Sequence, residues 1–320
     1  MCIRDSSLAV SPAEMTWKSG IDVLSFGATK NGCLAAEAII FFKKELVGDI
    51  AFLMKRAGHL LSKMRFVSAQ LDAYVTNDVW LRNAKHANKM GKITAEELDQ
   101  SIGGKGIVHH TQPSSVSITQ VCETGEVYQL DEIRKISEIS HKHNLNMHMD
   151  GARFANALVS LDVSPAEMTW KSGIDVLSFG ATKNGCLAAE AIIFFKKELV
   201  GDIAFLMKRA GHLLSKMRFV SAQLDAYVTN DVWLRNAKHA NKMGKKLSDG
   251  LSKHNDIEIS YPTEANEVFA KFPREKIEHL NSEGYKMNEE ELDGKSVRLV
   301  AAWNTKDSDV DELLNTIKAN

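Results

Sequence analysis

Residues 10 to 92 recur without a single change as residues 163 to 245. Val10 recurs as Val163, Lys30 as Lys183 and Lys92 as Lys245, an offset of 153 throughout. The likeness begins earlier, since Ser7 and Leu8 match Ser160 and Leu161, with only Ala9 differing from Asp162. Solenoid repeats are short, share a pattern rather than an identity, and cap their ends. This copy of 83 residues is long, occurs twice, and is split by unrelated sequence. It is therefore a recent duplication or a joining artefact. Two identical segments compete for one place in a fold, so one copy is expected to be a passenger.

The chain of 320 residues is long enough for two ordinary domains. It is 44% hydrophobic and 25% charged, as globular proteins are. With 40 basic and 41 acidic residues the net charge is −1, which gives nucleic acid or an anionic membrane nothing to attract. No apolar run is long enough for a membrane span; the most apolar stretch, Cys186 to Phe195, carries Glu190. Cys2, Cys33, Cys122 and Cys186 form no Cys-x-x-Cys pair and no Cys/His ligand spacing. A reduced, metal-free cytoplasmic protein is expected. The opening MCIRDS has no apolar h-region and is expected to be a leader artefact.

Between the copies the pattern alternates. Thr94 to Glu97 is a capping box, and Val116 to Val121 reads as a strand. Leu130, Ile133, Ile136 and Ile139 mark an amphipathic helix ending near Asn144, and Leu145 to Met149 is the next strand. In the second copy Ser164-Pro165 starts a helix, Ile174 to Phe179 and Ala191 to Phe195 are strands, and Asp202 to Lys242 reads as a long helix broken near Gly211. Alternating strands and helices predict a mostly parallel sheet in a three-layer α/β domain. From Ile257 shorter strands and helices imply a small C-terminal α/β domain. The expected division is 1–92 for the leader and extra copy, 93–245 for the large domain and 246–320 for the small one.

Ligand-binding residues in parallel sheets collect beyond the carboxyl ends of strands. Asp150, in His148-Met-Asp-Gly-Ala-Arg153, and Lys183, in the loop Gly180-Ala-Thr-Lys-Asn-Gly185, both fall there. A desolvated lysine on such a loop would be a nucleophile toward an aldehyde. A carboxylate at a neighbouring strand end could hold a pyridinium nitrogen protonated, and two arginines could grip a carboxylate in bidentate fashion. Each residue also has an ordinary reading, as a surface lysine, a turn aspartate or a surface-paired arginine, and spacing alone leaves both open.

HMDGARFANAL, SPAEMTWKSGIDVLSFGATKNG and KRAGHLLSKMRFVSAQ together decide between those readings. They resemble low-specificity L-threonine aldolases, members of the β-eliminating lyases with an aspartate-aminotransferase-type fold that depend on pyridoxal 5'-phosphate (PLP). The resemblance runs from about Ile93 to Asn320. It implies retro-aldol cleavage of L-threonine and L-allo-threonine to glycine and acetaldehyde by a homo-oligomer, a dimer or tetramer. It implies that Lys183 binds PLP covalently and that Asp150 pairs with the pyridine nitrogen. Arg153 and Arg298 are then the substrate carboxylate ligands. Thr119 and Gln120 line the cofactor or the substrate hydroxyl, and Lys208 and Arg209 lie near the phosphate or the carboxylate. His148 is expected as a packed strand histidine, and His109 and His110 as loop residues.

The chain departs from that family at its N-terminal side. The phosphate-cradling Gly-Thr-x-Ala-Asn turn and the ring-stacking histidine implied by the resemblance are missing from the sequence, and the extra copy stands in their place. Only the second copy follows Asp150 and Arg153 and leads on to Arg298. Lys30 is therefore expected to be a decoy. Two further readings follow: a catalytically impaired chimera, or another β-hydroxy-amino-acid lyase using the same lysine and aspartate.

Overall fold

The structure, a computed structural model, describes residues 13, 16–27, 37–48, 91–103, 112–212, 215–287 and 296–318. Lys30, Cys2, Cys33, His109 and His110 lie outside the described residues. The chain divides into two compact units, Met1–Met90 with Glu289–Lys295, and Gly91–Asn288 with Ser296–Asn320.

In the first unit β1 (Val23–Gly27) and β2 (Glu37–Phe41) pair antiparallel, with Val23 opposite Phe41.

The second unit holds the site. Its first helix α1 (Ala95–Ser101) starts at the Thr94 capping box, where Thr94 and Glu97 satisfy each other's backbone N–H groups. β3 (Ser115–Thr119) leads to α2 (Leu130–Lys142), whose Ile133 and Ile136 face inward at helical spacing. β4 (Asn146–Gly151), α3 (Phe154–Leu161), α4 (Pro165–Met168), β5 (Val176–Gly180) and β6 (Glu190–Phe194) follow. The four strands lie in the order β3-β4-β5-β6, parallel as far as β5. The mostly parallel α/β sheet is thus present, and its last strand, β6, runs antiparallel. Thr119, Asp150 and Ser178 stand side by side in register, so the three strands end together.

Three helices come next: α5 (Ile203–Arg209), α6 (Met217–Val228) and α7 (Val232–Leu251). The break at Gly211 is present, with its φ of +77°. A second break, not foreseen, falls at Asn230 and Asp231, both in the left-handed region that Asn and Asp tolerate best. α7 also runs past Lys242, because Met243, Leu247 and Leu251 continue its buried stripe.

β7 (Glu258–Ile259), β8 (Glu267–Lys271), α8 (Arg274–Ser282), β9 (Ser296–Val300) and α9 (Asp307–Lys318) complete the unit. Their antiparallel sheet has the order β7-β8-β9. Two hydrophobic clusters result, one centred on Met147, Met149 and Phe154, the other on Met243, Val268 and Leu280. α7 serves both, packing on α3 and on β8. Polar ties join them further: Glu264 accepts from the Val127 N–H at 2.6 Å, and Asn156 and Asn241 exchange hydrogen bonds at 2.8 and 2.9 Å. Among the described residues no helix is long and apolar enough to cross a membrane.

Candidate active site

The strand ends of the parallel sheet place the candidate residues. Asp150 is half-buried on β4, flanked in register by Thr119 and Ser178. Its Oδ1 accepts the Ala152 N–H at 3.0 Å, just beyond the end of β4. No salt bridge to another described residue uses it up.

His148 lies two residues back on the same face. Its Nδ1 is 2.7 Å from Ser117 Oγ and its Nε2 is 2.9 Å from Ser178 Oγ. A neutral ring donates at one nitrogen and accepts at the other, and the two hydroxyls supply one partner each. Burial holds His148 below the usual histidine range, against the opposing charge of Asp150. It is a strand histidine packed between hydroxyls.

Lys183 lies on the single turn Thr182–Asn184 that follows β5. The neighbouring Asn184 fixes this turn. Asn184 is buried, donates to Tyr227 Oη at 2.6 Å and to the Trp233 carbonyl at 2.8 Å, and accepts from Asn236 at 2.9 Å. α6 and α7 thus hold the turn from behind, through an aromatic cluster of Phe154, Phe179, Tyr227 and Trp233. The lysine itself is exposed. The desolvation expected for its amine does not come from the described residues, because the turn buries Ala181 and Asn184 and leaves Thr182 and Lys183 outward.

Arg153 caps the start of α3 and is mostly buried, at 15% side-chain exposure. Its Nη2 lies 2.7 Å from Oε1 of Glu267, the first residue of β8. Burial lowers the Arg153 pKa, and Glu267 opposes that shift. Arg298, exposed on β9, stands opposite Phe269, so it shares a sheet face with Glu267. The charges of Arg153, Arg298 and Lys183 all bear on Glu267. Arg298 and Asp150 bear on Arg153 in turn.

Gln120 does not belong to it. The side chain is fully buried, its Nε2 donating to the Tyr128 carbonyl at 3.0 Å and its Oε1 accepting the Tyr128 N–H at 3.0 Å. Both ends of the amide are spent on shaping the loop after β3, so the expected role in lining a ligand is corrected to a structural one. Thr119 remains beside Asp150. Lys208 and Arg209 are exposed in the last turn of α5 with no ion-pair partner among the described residues.

Glu267 and Asn184 were not foreseen. For Glu267 the available signal was a lone acid opening an otherwise apolar strand, Glu-Val-Phe-Ala. For Asn184 no pattern existed, because its partners are 43 to 52 residues away.

An amine and a carboxylate thus follow neighbouring strands of one parallel sheet, with the Arg153 guanidinium just beyond. A family profile for beta-eliminating lyases matches residues 72–274. The chain belongs to the beta-eliminating lyase family. A low specificity L-threonine aldolase of a Pseudomonas species is 40% identical over 229 residues, 72% of this chain and 66% of that protein. Its counterpart in Pseudomonas aeruginosa is 38% identical over 230 residues, with the same coverage. The chain thus spans 66% of the length of these curated relatives. Among solved structures, the threonine aldolase of Leishmania major matches with a TM-score of 0.66 and 24% identity, over 77% of this chain and 73% of that one. Beta-eliminating lyases depend on PLP, and the amine of Lys183 and the carboxylate of Asp150 are of the kinds that suit its aldehyde and its ring nitrogen.

Proposed function

We propose that this chain is a PLP-dependent aldolase that cleaves L-threonine and L-allo-threonine to glycine and acetaldehyde. The observation that carries the reading is the placement of Asp150 and Lys183 at the ends of the neighbouring strands β4 and β5, in a chain 40% identical to a low specificity L-threonine aldolase.

Lys183 would hold the cofactor through its amine, and Asp150 would keep the ring nitrogen protonated. When bound, PLP supplies the electron sink for the pair left on Cα as the Cα–Cβ bond breaks. Arg153 and Arg298 fix the substrate carboxylate, which sets which bond at Cα stands in line for cleavage. Thr119, beside Asp150 in register, offers a hydroxyl at the same end of the sheet. The β-hydroxyl loses its proton as acetaldehyde departs, and Cα regains one to give glycine. Burial lowers the His148 pKa, and the two flanking serines position the ring on the Asp150 face.

The same reading makes the protein a cytoplasmic homo-oligomer, a dimer or tetramer. Ile192 on β6, Phe205 on α5 and Phe219 on α6 are 52%, 74% and 58% exposed, apolar area of the kind a subunit interface covers. Free Cys122 and Cys186 suit a reducing compartment.

The test is acetaldehyde release from L-threonine after incubation with PLP, alongside the visible absorbance of the protein. The reading expects a PLP band above 400 nm and acetaldehyde in step with glycine. A band without acetaldehyde would move the assignment to another β-hydroxy-amino-acid lyase, and no band would remove the cofactor reading.

A further inference from the structure

Glu267 is buried, at 2% exposure, and opens β8 beside the arginine pair. Its Oε1 takes Arg153 at 2.7 Å, while its Oε2 is buried with no hydrogen-bond partner among the described residues. Leaving a buried carboxylate oxygen unpaired is costly, and a neutral side chain of similar size would pack there without that cost. Stability alone gives no reason for an acid here.

Charge does give one. Two guanidinium groups against a single substrate carboxylate leave one positive charge uncompensated, and Glu267 supplies the missing negative one. Four charged groups on other elements bear on it: Arg153 after β4, Arg298 on β9, Lys183 after β5, and Glu123 in the turn after β3. Asp150 acts on Arg153 in turn. Gly125 of that turn sits over the same strand, where an added Cβ would come within 3.5 Å of Glu267 Cβ, so this side is closed.

We propose that Glu267 is a positioning and specificity-determining residue that holds Arg153 and balances the arginine pair, so that the site accepts β-hydroxy-α-amino acids with one carboxylate over those with two. This rests on the aldolase reading above. The probes are L-threonine and 3-hydroxyaspartate, which differ at the β-carbon by a second carboxylate. Their dissociation constants are measured by calorimetry on the PLP-loaded full chain, and by thermal shift on the cofactor-free chain.

In the parent chain threonine binds more tightly. Glu267→Gln adds one positive charge to the cluster, so the ratio of 3-hydroxyaspartate to threonine affinity rises about tenfold or more. Glu267→Asp keeps the charge on a shorter arm, so threonine binding weakens while the ratio stays within about twofold. A purely structural glutamate would weaken both ligands alike. If Glu267→Gln does not fold, the parent chain still reads out the effect. Burial pushes the Glu267 carboxyl above the usual range, so the ratio moves toward 3-hydroxyaspartate as the pH is lowered. An unchanged ratio in a folded Glu267→Gln variant, or a ratio independent of pH in the parent chain, overturns the proposal. Absence of a PLP band sinks the aldolase reading instead, and the thermal-shift ratio on the cofactor-free chain still decides the role of Glu267.

Discussion

The described parts of the repeated segment stand in two settings, and the two settings differ in what surrounds them. β1 and β2 in the first unit repeat β5 and β6 in the second, down to the register: Val23 opposite Phe41 and Val176 opposite Phe194. The hairpin-like pairing therefore travels with the sequence. Burial does not. Leu177 is 2% exposed between β4 and β6, whereas Leu24 is only half-buried. The ion pair travels too, with Lys43 to Asp22 and Lys196 to Asp175 both at 2.7 Å. Asp22 is 45% exposed, while Asp175 is 3% exposed and also takes the Met147 N–H at 2.7 Å and His141 at 2.9 Å. Local sequence determines strands and short-range pairs, and β4 with α2 turns those strands into a core. Only the second copy has that neighbour among the described residues.

Paired substitutions sharpen this contrast. The largest stability effect is expected at the buried aspartate. Asp175→Asn strips charge-assisted bonds from Met147, His141 and Lys196 and should cost about 2–3 kcal/mol in denaturant unfolding. Asp22→Asn removes an exposed pair and should cost under about 0.5 kcal/mol. Equal losses would mean the two settings are not different.

The glycine turns come next. Gly20 and Gly173 share a φ near +85° to +87°, so alanine strains both backbones by about 1 kcal/mol. At Gly173 the new Cβ would also meet Ser137 Cβ at 2.6 Å, and at Gly20 it would meet nothing within 4 Å. Gly173→Ala should therefore lose about 1–2 kcal/mol more than Gly20→Ala in matched thermal melts. A smaller loss at Gly173 would contradict the packing of α2 on the turn.

The smallest effect is in pH. Desolvation pushes Asp175 up, but the hydrogen bonds from Lys196, Met147 and His141 outweigh it and hold the folded pKa below the ordinary aspartate range. A carboxyl lowered on folding stabilises above its unfolded value near pH 4 and loses that contribution as pH falls through the folded value. The acid limb of stability should flatten in Asp175→Asn.

Much of this was legible in the chain. Capping boxes at Thr94 and Ser164 and the periodic isoleucines of α2 carry their own local signals, and those elements fell where the pattern put them. The break at Asn230–Asp231 was missed although Thr229-Asn-Asp231 is an exposed polar triplet of turn-tolerant residues. Periodicity placed Asp150 and Lys183 just beyond strands, while the roles expected of them and of Arg153 and Arg298 came from the family resemblance. Gln120 misled: its position at a strand end is right, but its side chain turns inward to Tyr128. Glu267 left a local trace, an acid opening the apolar run Val-Phe-Ala, but its pairing with Arg153, 114 positions earlier, is encoded by no local pattern.

The central claim is that the second copy, and not the first, carries the working lysine. Its most direct test is PLP absorbance and acetaldehyde release in Lys183→Ala and Lys30→Ala, measured side by side with the parent chain. The account predicts loss of both signals in Lys183→Ala and no change in Lys30→Ala. Loss in Lys30→Ala with retention in Lys183→Ala would contradict it.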